Sequence, residues 1–588
     1  MEQTWKLEDL FASPDDWERE LEAVQKDLPS VTKFQGKIGE GASVLLACLN
    51  AQEALLQRVN LVATYANLEL SADGTNPVHQ ANRSKVDAMV ASVLSALSFI
   101  DSEILAQPEG AIEHFIEQEP ELETFRKSLE DLLALLPHKL SPDTEAALAA
   151  LGQVFGAPYM IYQRSKLSDM QFASIKDATG AEHPNSFALY EDHYEFTPDT
   201  TLRRNAYASF VQTLSQYQNT FSATYATEVT KQVAMARLRH YPSVTHMLLQ
   251  PQQVEVEMYE NVLDVIQTEL APHMRRYIKL KQKMLGLDKM LHCDLKVPID
   301  PDYNPEMTYE EGAKLILEAL SVMGEEYQGI IKQALTERWV DLADNIGKST
   351  GAFCSSPYGS HPYILLTWAN TMRSVFVLAH ELGHAGHFSL ANREQRMTNT
   401  RPSMVFVEAP STMHEQILGR HILSKTNDLR MRRYIIAQFL GTYYHNFVTH
   451  LLEGELQRRI YTLAEKGESV TARLLSQQKK ELLTKFWGDA VEMDDGAALT
   501  WMRQPHYYMG LYPYTYSVGL TVSTAMAERI FTEGQPAVND WLKVLRAGGT
   551  RRPLDLMKMA GVDMSTPAPI QKAVAYVGSL VNELEASV

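Results

Sequence analysis

Residues 372–388 read MRSVFVLAHELGHAGHF, an apolar run that leads into two histidines four residues apart. On an α-helix, His380 and His384 lie one above the other on the same face. Two imidazoles at this spacing can supply two ligands of a tetrahedral Zn²⁺ site. Glu381, next to the first histidine, can reach the open position of such a metal and take a proton from a water there. The stretch therefore predicts a buried helix that carries a catalytic metal centre.

The start and the interior of this helix are indicated by the same stretch. Ser374 is the predicted N-cap, because a serine side chain can accept a hydrogen bond from a free backbone N–H in the first helical turn. Gly383 costs the helix about 1 kcal/mol relative to alanine. We expect its missing side chain to admit a close-packed neighbour.

A catalytic zinc normally has three protein ligands, so a third is expected outside this helix. Residues 406–415, FVEAPSTMHE, form the next predicted helix and offer Glu408. A third histidine at the metzincin spacing is absent. Glu415 lies on the same helical face as Glu408 and is the alternative, either as the third ligand or as a carboxylate that orients a ligating histidine. His387 and His414 are predicted to support the site rather than to bind the metal.

Most of the chain reads as helix, with apolar residues at three- and four-residue spacing. The predicted helical segments are 51–70, 80–104, 258–285, 312–335, 430–463 and 470–487. Strand-like sequence is scarce, and the best candidate is PYILLTW at 362–368. Turn-forming residues cluster around 177–200. This cluster predicts a helical N-terminal lobe, residues 1–190, and a catalytic body, residues 191–588.

The composition is that of a folded protein with a surplus of acidic residues. The 588 residues are 45% apolar and 22% charged, and the net charge is −19. This charge opposes binding to nucleic acid and to anionic membranes. No apolar run is long enough to span a bilayer, no apolar signal region is present, and three scattered cysteines cannot form a disulfide framework. We expect a cytoplasmic protein with no nucleic-acid or membrane partner, and the composition indicates no particular oligomeric state.

The motifs HELGHAGH at 380–387 and FVEAPS at 406–411, with the strand-like PYILL at 362–366, resemble the thimet oligopeptidase family. The resemblance is strongest to its bacterial branch, oligoendopeptidase F. It implies a mainly α, two-lobed zincin-type fold with a small β-sheet lining a deep central channel. It also implies one Zn²⁺ held by His380, His384 and Glu408, with Glu381 as general base. Short unfolded peptides are the implied substrates.

A second segment, PHYYMGLYPYTY at 505–516, is dense in hydrogen-bond donors. Such donors can stabilise the oxyanion that forms when water attacks an amide. The tyrosines can equally be core or interface aromatics. The resemblance implies that His506 and Tyr516 stabilise the oxyanion, and that Tyr512 and Tyr514 are neighbouring substrate contacts.

The strand at 362–368 offers a further substrate contact. An exposed edge near the metal would let a peptide add as an extra strand, with Ile364 and Leu365 beside it. This mode fixes the peptide backbone without reading side chains, which suits broad specificity. The alternative is an ordinary buried strand.

Three other functions fit parts of the pattern. A carboxypeptidase or dipeptidyl carboxypeptidase would need a basic residue for the substrate carboxylate, and Arg503, Arg551 and Arg552 are candidates. A peptide-binding protein without catalysis would be expected to have lost Glu381 or a ligand. A structural zinc would normally have four protein ligands. The retained motif disfavours the binding protein, and a set of only three ligands disfavours the structural zinc. A carboxypeptidase shares the ligand layout of an endopeptidase, so substrate length and amidation of the C-terminus have to separate the two.

Overall fold

The computed structural model of the protein describes residues 3–588, which are mainly α-helical with a few short strands. This confirms the predicted fold class, a two-lobed helical protein with small sheets. Among the described residues, no helix combines the length and the low charge needed to cross a bilayer.

The first ten helices belong to the N-terminal part of the chain. They are α1 (Pro14–Asp27), α2 (Pro29–Thr32), α3 (Ala42–Ala72), α4 (Pro77–Leu97), α5 (Phe99–Ile104), α6 (Ala111–Gln118), α7 (Arg126–Leu133), α8 (Pro142–Ala150), α9 (Gly152–Arg164) and α10 (Phe187–Asp192). The apolar faces of α1 to α7 form one core, whose buried residues run from Trp17 to Leu129. α9 and α10 instead pack into the core of the larger body, through Tyr162 and through Phe187 and Tyr190.

The remaining helices build the larger body. They are α11 (Thr200–Leu238), α12 (Val244–Leu249), α13 (Val256–Glu269), α14 (Ala271–Met284), α15 (Tyr309–Ala319), α16 (Glu325–Thr336), α17 (Met372–Glu394), α18 (Met404–Val407), α19 (Ala409–Lys425), α20 (Leu429–Tyr443), α21 (His450–Glu465), α22 (Ala472–Trp487), α23 (Asp495–Ala498), α24 (Tyr514–Glu533), α25 (Gln535–Ala547), α26 (Pro553–Met559) and α27 (Ala568–Ala586). Their core runs from Tyr162 to Leu584. The predicted domain boundary at residue 190 stays a prediction.

Four predicted helices are interrupted. Segment 80–104 divides at Ser98 into α4 and α5. Segment 258–285 divides at Leu270, where Pro272 suits the first turn of the new helix α14. Segment 312–335 divides at Gly324, whose φ of 87° is a left-handed conformation that glycine adopts readily. Segment 430–463 passes through a π-helical stretch, Tyr444–Thr449, between α20 and α21. Apolar spacing alone does not show these breaks, because the periodicity resumes in the same direction after each one.

In the part of the chain that the structure describes, five short strands form two sheets. β1 (Ile175–Lys176) and β2 (Glu182–His183) pair as an antiparallel hairpin, whereas β3 (Val340–Asp341), β4 (Phe353–Ser355) and β5 (Tyr363–Leu365) form a second sheet in the order β3-β5-β4. β5 is parallel to β3 and antiparallel to β4.

The strand predicted at 362–368 is confirmed as β5, but its predicted exposed edge is wrong. β5 is the central strand, and the side chains of Ile364 and Leu365 are 0% exposed. Neither residue can contact a substrate peptide from this position. The sheet edge that packs beside α17 belongs to β4, whose three residues are partly exposed.

The helix that carries the two histidines, α17, begins at Met372, and its N-cap is Thr371 rather than the predicted Ser374. The Thr371 hydroxyl accepts a hydrogen bond from the Ser374 N–H at 3.3 Å. The start is fixed from outside the helix, because the Met372 N–H donates to the carbonyl of Pro305 at 2.9 Å. The Ser374 hydroxyl instead accepts from the Ala369 N–H at 3.2 Å.

Candidate metal centre

α17 is enclosed by protein on every side but one. Of residues 372–391, all are buried except Arg373, Val377, His380 and His384. Their spacing of four, three and four residues places them in a single line along the helix. We call these four residues the α17 stripe. Both histidines of the predicted metal site therefore lie on the one solvent-accessible face of α17.

Glu408, in the junction between α18 and α19, meets both histidines. Its Oε2 atom lies 3.3 Å from Nε2 of His380 and 3.3 Å from Nε2 of His384. In a tetrahedral zinc site with metal–ligand bonds of about 2.0–2.1 Å, neighbouring ligand atoms are about 3.3 Å apart. The Ser411 hydroxyl also donates to this Glu408 oxygen at 2.8 Å. The three side chains thus have both the chemistry and the spacing of a zinc ligand set.

The close approach of α17 and α19 depends on Gly383. A Cβ atom at this position would lie 2.5 Å from the carbonyl oxygen of Pro410 and 2.6 Å from Cα of Ser411. No side chain can be accommodated there without moving the backbone of α19. The expected close-packed neighbour of Gly383 is therefore the helix that follows Glu408.

We expect Gly383→Ala to lower the free energy of unfolding by about 1–3 kcal/mol, because overpacking against a backbone forces the two helices apart. Gly329→Ala in α16 is the matched control, since a Cβ there meets nothing within 4 Å. The control should be stabilising by about 0.4–1 kcal/mol. Urea denaturation of both variants measures the difference. Equal effects of the two substitutions would mean that α17 and α19 are not held together through Gly383.

A further layer of side chains holds the histidines. Glu415 Oε1 lies 2.7 Å from Nδ1 of His380, on the opposite side of the ring from Glu408. The Thr442 hydroxyl donates to the other Glu415 oxygen at 3.2 Å. Of the two roles predicted for Glu415, this geometry matches the carboxylate that orients a ligating histidine.

The two other histidines of the motifs point away from Glu408. His414 bonds through Nδ1 to the carbonyl of Ala379 at 2.9 Å and through Nε2 to the hydroxyl of Tyr327 at 2.7 Å. His387 is completely buried and stacks on Phe388. Burial lowers the pKa of both imidazoles to about 3, so they are neutral at physiological pH.

The pKa values of two carboxylates of the centre are shifted in opposite directions. Burial raises the pKa of Glu381, and the imidazoles of His380 and His384 only partly offset this effect. Burial also acts on Glu408, but hydrogen bonds to the two histidines hold its pKa well below the usual range. Glu408 is therefore an anion, as a ligand must be, whereas Glu381 is suited to exchange a proton.

His506 belongs to a second cluster, which the sequence did not reveal. Its Nδ1 lies 3.1 Å from Oε2 of Glu453, and Nδ1 of His450 lies 2.8 Å from the same oxygen. Nε2 of His450 in turn lies 2.9 Å from Nε2 of His445. Burial alone would raise the pKa of Glu453, but the imidazoles hold it well below its usual range. The 2.8 and 3.1 Å contacts are hydrogen-bond lengths, so we interpret this cluster as hydrogen-bonded rather than as a second metal site.

Tyr516 lies between the two clusters. Its hydroxyl donates to that of Tyr512 at 3.1 Å, and its ring stacks on His450 with centroids 4.3 Å apart. Burial raises its pKa, and the charges of Glu408 and Glu453 add to the effect. The hydroxyl is therefore a stable proton donor. His506, Tyr512 and Tyr516 are brought together, as the sequence predicts, with each side chain partly exposed.

Tyr514 does not join this group. Its side chain is 0% exposed, its hydroxyl donates to Oε1 of Gln252 at 2.7 Å, and its ring packs edge-on against Tyr259. The prediction that Tyr514 contacts substrate is wrong in this structure. Tyr512 precedes α24 and meets Tyr516 in the first turn of that helix, whereas Tyr514, two residues before Tyr516, projects from another side.

Arg503 is not free to bind a substrate carboxylate. Its guanidinium donates to both oxygens of Glu195, at 2.8 and 2.9 Å, and to Glu191 at 2.9 Å. Its backbone carbonyl accepts hydrogen bonds from Tyr162 and Lys166. The side chain is 8% exposed, so these contacts anchor the loop that leads to His506. Of the three arginines proposed for an exopeptidase, only the exposed pair at 551–552 stays available.

Sequence reasoning missed several residues of the site. His450, Glu453 and Thr442 lie in segment 430–463, which was predicted only from its apolar periodicity. Arg373 lies one residue before Ser374, the predicted N-cap, and so fell outside the predicted helix. The usable signal was in residues 450–457, HLLEGELQ, where two glutamates and a histidine interrupt an otherwise apolar run that is wholly buried. Buried charges are normally paired, so a glutamate in such a run predicts a partner.

Comparison with known proteins connects this geometry to a family. The family model described as Peptidase family M3 matches residues 194–576, and the one described as Oligopeptidase F matches residues 103–172. Oligopeptidase PepF of Bacillus subtilis is 33% identical over 584 residues, which cover 99% of this chain and 87% of that protein. Group B oligopeptidase PepB of Streptococcus agalactiae is 29% identical over 99% of this chain and 96% of its own length.

Solved structures agree with the sequence relatives. A protein from Chlamydophila abortus superposes with a TM-score of 0.91 at 26% identity, covering 100% of this chain and 98% of its own. Oligoendopeptidase-F from Enterococcus faecium superposes with a TM-score of 0.76, also at 26% identity, covering 97% and 99%. The likeness extends over the whole chain rather than over the metal-binding motif alone.

Proposed function

This chain belongs to peptidase family M3, and on that premise we propose that it is a zinc-dependent oligoendopeptidase that hydrolyses internal bonds of short unfolded peptides. The observation that carries the proposal is the position of Glu408 Oε2, 3.3 Å from Nε2 of each motif histidine. Three ligands from the protein leave one position of a tetrahedral site open, as catalysis requires.

His380, His384 and Glu408 would hold one Zn²⁺. When bound, the ion supplies a Lewis acid for the attacking water and for the peptide carbonyl. Glu415 fixes the ring of His380 through Nδ1, which leaves Nε2 to face the metal. Gly383 and Ser411 keep Glu408 within reach of both rings.

Glu381 is the proposed general base. Its burial raises its pKa and makes the carboxylate a better proton acceptor than an exposed glutamate. It accepts a proton as the water oxygen adds to the carbonyl carbon of the scissile bond. It then returns a proton to the amide nitrogen as the carbon–nitrogen bond breaks.

His506 and Tyr516 are the proposed donors to the oxyanion, with Tyr512 as a neighbouring substrate contact. Glu453 accepts the hydrogen bond of Nδ1 of His506, so Nε2 is left to donate to a substrate oxygen when the imidazole carries both protons. The raised pKa of Tyr516 keeps its hydroxyl protonated at physiological pH. The Tyr516 hydroxyl, which donates to Tyr512 in this structure, needs only to rotate its O–H bond toward the charge that develops on the substrate.

The α17 stripe is the proposed floor of the substrate channel, and the edge of β4 its wall. Cys354 of β4 lies close enough to Glu381 for the carboxylate charge, together with burial, to raise the thiol pKa to about 12. A peptide that adds to β4 as an extra strand would therefore pass beside the general base. The three cysteines are unpaired, which suits the predicted cytoplasmic location.

Cleavage of a quenched fluorescent peptide of about ten residues tests the proposal. We expect internal cleavage that a chelator abolishes and Zn²⁺ restores, with an unfolded protein substrate left largely intact. Trimming from the C-terminus alone would favour a carboxypeptidase. No cleavage by a preparation shown to contain zinc would favour a peptide-binding protein.

A further inference from the structure

Arg373 is the member of the α17 stripe to which the proposed mechanism gives no role. It precedes His380 by seven residues on the same face of the helix, which places the two Cα atoms about 10.5 Å apart along the axis. Val377 lies between them on the stripe. A peptide that follows the stripe away from the metal therefore passes Val377 and then reaches the guanidinium of Arg373.

Arg373 is exposed. Among the described residues, no carboxylate oxygen lies within 4.0 Å of its guanidinium nitrogens, the limit for an ion pair. Its Cζ atom lies 5.9 Å from the centroid of the Phe196 ring. Lys296 lies over the same ring at 5.7 Å, but its ammonium group is paired with Glu195 at 2.7 Å. Of the two cations beside Phe196, Lys296 is therefore paired with a carboxylate and Arg373 is not.

Two aromatic side chains lie near the guanidinium of Arg373. Phe196 stands on one side, and Tyr434 of α20 is close enough for the charge of Arg373 to act on its pKa. Both aromatic side chains are partly exposed. The planar guanidinium presents parallel N–H donors, which is the arrangement that binds a carboxylate through two hydrogen bonds.

We propose that Arg373 binds a carboxylate of the substrate peptide about three residues from the bond that is cleaved, an inference that rests on the proposed peptidase function. The distance follows from the helix, because an extended peptide advances about 3.4 Å per residue and covers about 10.5 Å in three residues. The carboxylate is either the C-terminus of the peptide or the side chain of an aspartate or glutamate. In a chain of net charge −19, Arg373 gives an acidic peptide a local attraction that the overall field opposes.

Matched peptides distinguish the two sources of the carboxylate. One pair ends three residues after the cleaved bond, with a free C-terminus or with an amide. Two further pairs have an amidated C-terminus, and the two members of each pair carry glutamate or glutamine at one position. That position is the third residue before the cleaved bond in one pair and the third residue after it in the other. We expect wild-type kcat/KM to favour the carboxylate member of at least one pair by about 10- to 100-fold, the effect of a hydrogen-bonded ion pair.

Arg373→Gln should reduce that preference to about one, and Arg373→Lys should restore only part of it, because lysine lacks the bidentate fork. Arg473→Gln is the matched control. Arg473 is also exposed and also follows a threonine N-cap by two residues, in α22, away from the stripe. The control should keep the wild-type preference.

Wild-type enzyme without any carboxylate preference, or Arg373→Gln with the preference unchanged, would overturn the proposal. Binding of the same pairs to Glu381→Gln, measured by fluorescence anisotropy, tests Arg373 without turnover. Failure of the wild type to cleave any peptide would overturn the peptidase function. In that case the ratio of dissociation constants within each pair, with and without Arg373, still decides the role of Arg373.

Discussion

Glu381→Gln is expected to lower kcat by about 10²- to 10⁴-fold while the protein keeps its zinc. Glutamine has the shape of glutamate but cannot accept a proton from water. The geometry separates the base from the ligands, because the pair of 3.3 Å contacts to Glu408 involves only His380 and His384. The loss should therefore appear in the chemical step and not in metal content.

Single-turnover kinetics on the quenched peptide and metal analysis by mass spectrometry measure the two effects separately. Glu394→Gln is a suitable control, since Glu394 is the exposed last residue of the same helix. It should retain both zinc and turnover. Near-normal turnover by Glu381→Gln would exclude it as the general base, and loss of zinc in that variant would make it a ligand instead.

The second large effect is expected at Glu408. Glu408→Ala removes the oxygen that both histidines face, whereas Glu415→Ala removes only the carboxylate behind His380. Loss of an orienting partner typically lowers metal affinity by 10–100-fold. We expect Glu415→Ala to fall in that range and Glu408→Ala to lose more.

Competition between metal-free protein and a chelating indicator gives both zinc affinities. Thr442→Val extends the series, since Thr442 supports Glu415 at 3.2 Å and should have a still smaller effect. Equal zinc affinity in Glu408→Ala and wild type would transfer the ligand role to another residue. A greater loss in Glu415→Ala than in Glu408→Ala would exchange the two roles.

The centre could be predicted where it depends on helix geometry alone. His380, Glu381 and His384 are within one turn or so of each other, so their relative positions follow from the helix itself. The position of Glu408 depends on the packing of α19 against Gly383, which spacing does not reveal. It was predicted from the ligand count and the family motif.

Other errors arose where tertiary contacts decide between equal local options. Thr371 and Ser374 are both good N-caps, and the hydrogen bond from Met372 to Pro305 selects the earlier one. β5 becomes central because β3 pairs with it. β3 is only two residues long, too short to show the alternation of apolar and polar residues that predicts a strand. Glu453 was missed because its partners, His450 and His506, lie partly outside its own helix.

The anchoring of Arg503 also bears on the order in which the enzyme folds. Its hydrogen bonds to Glu195 and Tyr162 join residues 308 and 341 positions apart in the sequence. Contacts of such long range form late, because the entropy of closing the intervening chain opposes them until other structure is in place. The loop of His506 therefore becomes ordered only after nearly the whole chain has been synthesised and docked. A nascent chain that has already formed α17 still lacks the proposed oxyanion donors, so we expect peptidase activity to emerge at the end of folding.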